Sequence, residues 1–240
     1  MKVIVISIVS ILSVLFLWKA AFIEIIALAH FQGSTENHAV ALSFDDGPDW
    51  GEEVLISALN QAGIKATFFW TWQKVEILSS QDPERFATIL QLLKEGGHEV
   101  GIHGSQCNVS SDLLRRILGF AKVEDLTTVR QSFSGLLHQQ PTLYRPHGIQ
   151  LGRQLSRAIK ASGLRLILGS PRFQIGQENV AASYLKAFQK AKPGDIICGH
   201  DSKDCYLDFG LAGEIAQIVP EIEKILAERN LSVVTVSEIL

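Results

Sequence analysis

The chain has 240 residues, 47% of them hydrophobic, and a formal net charge of -3. That length and apolar share suit one sizeable core plus an appendage, and the evenly mixed charge argues against a nucleic-acid surface or a charged interaction tail. The three cysteines, Cys107, Cys198 and Cys205, form no C-x-x-C pair, and their odd number argues against a disulfide scaffold while leaving a Cys198–Cys205 bridge open.

The chain begins with its sharpest compositional break. Val3 to Trp18 carries no charge, Lys2 and Lys19 flank it, and apolar residues run on to Ala29 interrupted by Glu24. A spanning helix needs ~20 mostly apolar residues, so residues 1–30 read as an N-terminal transmembrane anchor. A cleaved signal peptide is the rival, because Ala27-Leu28-Ala29 has the form of a cleavage site. A buried core helix is the third option, weakened because the segment is apolar on all faces. Lys2 and the terminal amine favour a cytoplasmic start, which places the remaining domain on the extracytoplasmic side of a single-pass membrane protein. Residues 31–38, with Gly33 and Ser34, read as a short linker.

From residue 39 onward short apolar runs alternate with amphipathic stretches. Strands are expected at 39–44, 66–69, 99–102, 142–144, 164–168, 195–198 and 232–236. Helices are expected at 52–61, 83–94, 123–137, 154–161, 180–191 and 214–228. The helix from Pro83 has full punctuation: Asp82 as a cap, proline in the first turn, and Gly96-Gly97 at its end. Alternating strands and helices imply parallel pairing with right-handed crossovers. Seven such units point to an α/β fold, a closed or nearly closed barrel over residues 39–240, with no internal repeat.

Polar clusters fall at the ends of four expected strands: Asp45-Asp46-Gly47-Pro48, His103, Arg145-Pro146-His147-Gly148 and His200-Asp201. In such barrels the strand ends face one pocket. Adjacent carboxylates leaving a strand point in different directions, so one can bind a metal while the other stays free as a base; an ordinary Asp-Gly turn is the plainer reading. His103 and Cys107, four residues apart, offer an imidazole and a thiolate, both good zinc ligands. Arg145 can hold the free carboxylate through a forked hydrogen bond, and His200 can protonate a leaving amine. His98, near the start of the third strand, reads as structural.

These residues resemble those of the polysaccharide deacetylases, the NodB-homology or carbohydrate esterase family 4 domain. Ser43 to Pro48 resembles the first motif, Gly97 to His103 the approach to the second, Arg145 to Gly148 the third, and Ile196 to Asp201 the fifth. Val234 to Leu240 resembles the usual end of the domain. The resemblance implies a distorted seven-stranded barrel and a divalent metal, most simply zinc. It implies Asp45 as catalytic base, Asp46 and His103 as metal ligands, Arg145 as the group orienting Asp45, and His200 as general acid. A carbohydrate substrate bearing N-acetyl groups follows from the same resemblance.

Three departures mark this chain as a divergent member. Cys107 stands where the family usually has a second histidine, giving an expected ligand set of Asp46, His103 and Cys107. The third motif is one residue short between Arg145 and Gly148, and a shifted register places Tyr144 at the arginine position. The acidic fourth motif is not evident, Gly169-Ser170-Pro171-Arg172 occupying its region; Cys198 also replaces a leucine of the acetyl pocket. The expected activity is metal-dependent removal of N-acetyl groups from amino sugars. The alternatives are a non-catalytic, membrane-anchored glycan-binding pseudoenzyme and a deacylase of a lipid-linked sugar.

Overall fold

A computed structural model describes residues 19, 22–106, 124–137, 139–147, 153–176, 178–202, 207 and 210–240. Eight parallel strands form one sheet: β1 (Ala29–His30), β2 (Ala39–Gly47), β3 (Thr67–Thr71), β4 (Glu99–Gly104), β5 (Leu143–Tyr144), β6 (Arg165–Ile167), β7 (Ile196–His200) and β8 (Ser232–Val234). Their order is β1-β6-β5-β4-β3-β2-β7, with β8 paired to the start of β2. The gap between the two ends is bridged rather than laddered. Gln32 pairs with Asp195 and Gln174 with Cys198 as isolated bridges, and the Ile175 N–H donates to the Cys198 carbonyl at 2.8 Å.

After the helical residues 22–28, the helices among the described residues are α1 (Glu52–Gln61), α2 (Trp72–Gln81), α3 (Pro83–Gly96), α4 (Leu126–Leu137), α5 (Arg153–Ser162), α6 (Val180–Lys190), α7 (Gly210–Glu228) and α8 (Val236–Ile239). β2 shows why the strand sequences read as unbroken apolar runs: all nine of its residues are buried. Val40, Leu42 and Phe44 pack in the large cluster that contains helix residues such as Leu55, Tyr184 and Ile215. Ala41, between them, joins Phe69, Leu143, Ile167, Ile196 and Cys198 in a smaller cluster that fills the barrel. This alternation carries every second β2 side chain inward, ending at Ser43 and Asp45.

Most expected elements are present with ends shifted by one to three residues. Asp82 accepts from the Arg85 N–H at 3.0 Å, and Gly97 closes α3 in the left-handed conformation at φ 64°. Three readings need correction. α2 has no counterpart among the helices expected from the sequence; it follows β3 directly, without a polar turn between them, and buries Lys74, Val75 and Leu78. The last strand stops at Val234, because Thr235 and Glu238 form a capping box that starts α8 instead. Val236 and Ile239 then plug the barrel interior.

The third correction concerns the end of the apolar N-terminal run. Residues 1–18 lie outside the described residues, and no helix among the described residues is long and apolar enough to cross a membrane. Residues 22–28 are helical and Ile25 is fully buried in the core. Ala29–His30 is a strand on β6, and the Gly33 and Ser34 N–H groups donate to the Gly194 and Ile239 carbonyls at 2.8 and 2.7 Å. Residues 29–34, expected as the end of an anchor and the start of a linker, are therefore tied to the barrel by backbone hydrogen bonds, 29–30 as a strand of the sheet. A two-residue strand inside an apolar run leaves no alternating pattern from which to see it.

Candidate active site

The site is built where β2 breaks its own regularity. The β2–β3 register shifts between Asp45 and Gly47, and Asp46 has a φ of 74°. A bulge of this kind re-aims a side chain. Asp45 keeps the inward direction, whereas Asp46 turns toward the barrel mouth and the ends of β4 and β5.

Inside the barrel, Arg145 is a buried fork. Its Nη1 donates to Asp45 Oδ1 at 2.6 Å and its Nη2 to Ser43 Oγ at 2.9 Å; Ser43 Oγ donates in turn to the Ile197 carbonyl at 2.9 Å. The guanidinium lies over the Phe69 ring, 4.0 Å from its centroid. A Cβ at Gly101 would meet that ring at 2.6 Å, so glycine there makes room for the ring beneath the arginine. Burial opposes the charge on Arg145, but the Asp45 carboxylate outweighs it and raises the guanidinium pKa. The short spacing of the third motif therefore leaves Arg145 on Asp45, and Tyr144 points outward into the large cluster.

Asp46 faces two imidazoles. His103 Nε2 lies 3.3 Å and His147 Nδ1 3.1 Å from Asp46 Oδ1, and the two rings meet edge to face with centroids 4.8 Å apart. Burial disfavours ionised Asp46, yet the two imidazoles and the positive charges of His103 and His200 hold the carboxyl far below the usual range. On His103, burial lowers the pKa, and the negative charges of Asp45 and Asp46 beside it reverse the sign and raise it. His103 Nδ1 is 2.9 Å from the Arg145 carbonyl. That contact places the proton on Nδ1 and leaves Nε2 with a free lone pair.

Asp46, His103 and His147 each offer one ligand atom, all within 4.8 Å of one another. Asp46 Oδ1 and His147 Nδ1 are buried and have no hydrogen-bond partner. Two ligands at ~2.0–2.1 Å from a tetrahedral zinc are ~3.3 Å apart, matching the 3.1 and 3.3 Å separations. These residues fit a divalent cation. His147 was seen in the sequence only as part of the third motif. The available signal was its position two residues after Arg145, which in extended chain returns a side chain to the same side. Cys107, expected as the third ligand, lies outside the described residues.

His200 ends β7 with Nε2 3.7 Å from Asp46 Oδ2 and Nδ1 2.9 Å from the Ile175 carbonyl. A backbone carbonyl thus orients the His200 ring. Cys198, two residues before, is a free, buried thiol whose pKa burial pushes up. His98 is structural, as expected. Its Nδ1 accepts from the Ala66 N–H at 3.0 Å, its Nε2 meets Asn60 Oδ1 at 2.8 Å, and burial lowers its pKa to about 4.

Behind the Asp46 loop lies a second polar cluster, on the helix side of the sheet and absent from the sequence reading. Asp49, Glu52, Lys74 and Ser202 are fully buried and Asp201 is 1% exposed. Ser202 Oγ donates to Asp49 Oδ2 at 2.5 Å; Lys74 Nζ contacts Ser202 Oγ and lies 3.7 Å from Asp49 Oδ2. Trp70 Nε1 donates to Glu52 Oε1 at 2.9 Å. Glu52 and Asp201 face each other, and burial raises both: Asp201 to about 7, Glu52 well above its ordinary value. Burial and the mutual repulsion of the two groups thus favour the protonated form of these carboxyls up to about neutral pH.

The comparisons with known proteins agree with this geometry. The sequence pattern of the family described as polysaccharide deacetylase matches residues 32–167. A peptidoglycan-N-acetylglucosamine deacetylase of Bacillus cereus is 26% identical over 201 residues, covering 80% of this chain; the match spans 66% of that relative's length. Among solved structures, the Bc1960 peptidoglycan N-acetylglucosamine deacetylase superposes with a TM-score of 0.63 at 20% identity, covering 89% of this chain and 92% of the other. A family 4 carbohydrate esterase pseudoenzyme from Bacillus anthracis, BA3943, superposes at 0.62 and 16% identity, covering 88% and 68%. These structural likenesses show the shared fold. With more than half of its length matched by the family pattern, and with the Asp-Asp, Arg and His positions drawn to one barrel mouth, the chain belongs to the polysaccharide deacetylase family.

Proposed function

We propose that this protein is a metal-dependent deacetylase that hydrolyses N-acetyl groups on amino sugars of a polysaccharide, with the barrel tethered by an N-terminal membrane anchor. The observation that carries the reading is the separation of roles between two adjacent carboxylates. Asp46 faces the imidazoles, while Asp45 is held 2.6 Å from Arg145 on the other side of the bulge.

Asp46, His103 and His147 would hold the cation, most simply zinc. When bound, it supplies a Lewis acid that polarises the acetyl carbonyl and makes water a stronger acid. Asp45 accepts the proton of the attacking water, with Arg145 fixing the orientation of its carboxylate and supplying a countercharge. His200, its Nδ1 proton donated to Ile175, presents Nε2 to the site and as imidazolium delivers a proton to the departing amine. Acetate and a free amino sugar are the products.

A second reading, non-catalytic glycan binding, is favoured by one feature: His200 Nδ1 pairs with a neutral backbone carbonyl, which brings no charge to sustain an imidazolium acid. Acetate release from N-acetylglucosamine oligomers and from peptidoglycan fragments separates the two. Wild type releases acetate, and Asp45→Asn loses the activity while keeping its metal. Full activity in Asp45→Asn removes Asp45 as the base. Absence of release by wild type loaded with zinc supports the binding protein.

A further inference from the structure

The N-terminal end of the described chain has two unlike faces. Ile25 points into the core with no exposure. Glu24 is fixed on α5, accepting from Ser156 Oγ at 2.5 Å and from Lys160 Nζ at 2.7 Å. On the outer side, Phe22, Ile23 and Ile26 are 37%, 55% and 38% exposed. They are three of the five large apolar side chains exposed among the described residues, and they lie within five positions. Clustered exposure of this kind marks an interaction surface.

Two further observations name the partner. Val3 to Trp18 is 16 residues without a charge. As a helix that is ~24 Å, about 6 Å short of a ~30 Å hydrocarbon core. The shortfall equals about four residues at helical rise, which reaches Phe22, with Lys19 long enough to snorkel to the headgroups. The helix beside this patch, α5, contains no acidic residue and exposes Arg157, while its Lys160 is paired with Glu24. Apolar side chains bordered by basic ones fit an anionic lipid surface.

We infer that Phe22, Ile23 and Ile26, with the exposed cations Lys19 and Arg157 beside them, are a bilayer-contact surface that seats the barrel directly against an anionic membrane. The inference rests on the membrane anchor proposed above and goes beyond it. An anchor followed by a free linker would let the barrel drift from the bilayer. Here Glu24 on α5 and β1 on β6 leave no slack between membrane and fold. The site is then held at a fixed height, and the substrate is glycan close to the membrane.

The test uses the full chain reconstituted in vesicles of phosphatidylcholine with phosphatidylglycerol. A photoreactive diazirine side chain replaces Ile23, Ile26 or, as a control, the exposed Val54. Lipid adducts are expected at positions 23 and 26 and not at 54. The yield at 26 should fall when phosphatidylglycerol is omitted, and Arg157→Glu should remove that lipid dependence. Absence of lipid adducts at 23 and 26, or crosslinks there to a second copy of the chain, overturns the inference. Extraction with alkaline carbonate tells which proposal failed. A chain retained in the membrane without lipid adducts keeps its anchor and loses the seating, whereas a chain that is released loses both.

Discussion

Lys74→Met tests the buried cluster behind the site most sharply. Lys74 is fully buried, 3.7 Å from Asp49 Oδ2 and in contact with Ser202 Oγ, which itself donates to Asp49. Methionine keeps much of the shape and removes the ammonium. Asp49 would then be a buried carboxylate that has lost the Lys74 ammonium while keeping the Ser202 Oγ and, at 2.7 Å, the Trp50 N–H as donors. Breaking a buried ion pair from one side costs about 3–5 kcal/mol, whereas replacing both partners is often close to neutral. For a domain of this size each kcal/mol moves Tm by about 2–4 °C, so the single variant should melt about 6–20 °C lower. The companion is Lys74→Met with Asp49→Asn, which removes both charges and keeps an acceptor for one donor. Thermal unfolding followed by circular dichroism should show the double variant recovering most of the loss. A single variant within about 1 kcal/mol of wild type, or a double variant as unstable as the sum of two single losses, would refute this account of the cluster.

Three further outcomes follow from the geometry. Asp201→Asn should flatten the pH dependence of stability. Burial raises the Asp201 pKa from 3.8 to about 7 in the fold, so its contribution is fully present below about pH 4 and is lost as pH rises through 7. Tm of wild type should therefore fall between pH 5 and pH 8 more steeply than that of the variant, and equal slopes contradict the buried proton. Arg145→Lys should fold but lose roughly 100-fold in kcat, because one ammonium cannot bridge Asp45 and Ser43 as the fork does; wild-type kcat in that variant would deny Arg145 its orienting role. Cys107→Ser should retain both metal and acetate release if Asp46, His103 and His147 are the complete protein ligand set, and a metal-free product would restore the thiolate to it.

The order of strands and helices was legible because parallel barrel strands are short apolar runs and the intervening helices carry caps, as Asp82 and Gly97 show for α3. The convergence of Asp45, Asp46, His103, Arg145 and His200 was legible from their positions at strand ends. What the sequence hid was set by backbone geometry and tertiary contact. The aim of Asp46 depends on a bulge and a positive φ. His147 reaches Asp46 and His103 only because β5 ends where it does, beside β4. The partner of His200 is a backbone carbonyl, which carries no residue signature. The ring of Asp49, Glu52, Lys74 and Asp201 joins α1, α2 and the end of β7 across as many as 152 positions, and nothing in local spacing brings those charges together.

Metal content of the purified His147→Ala chain, beside wild type and Cys107→Ala, is the most direct test of the site. The account predicts one tightly held divalent cation per chain in wild type and Cys107→Ala, and affinity weakened by more than ~100-fold in His147→Ala. Undiminished metal in His147→Ala, with loss in Cys107→Ala, would contradict the ligand set on which the proposed chemistry depends.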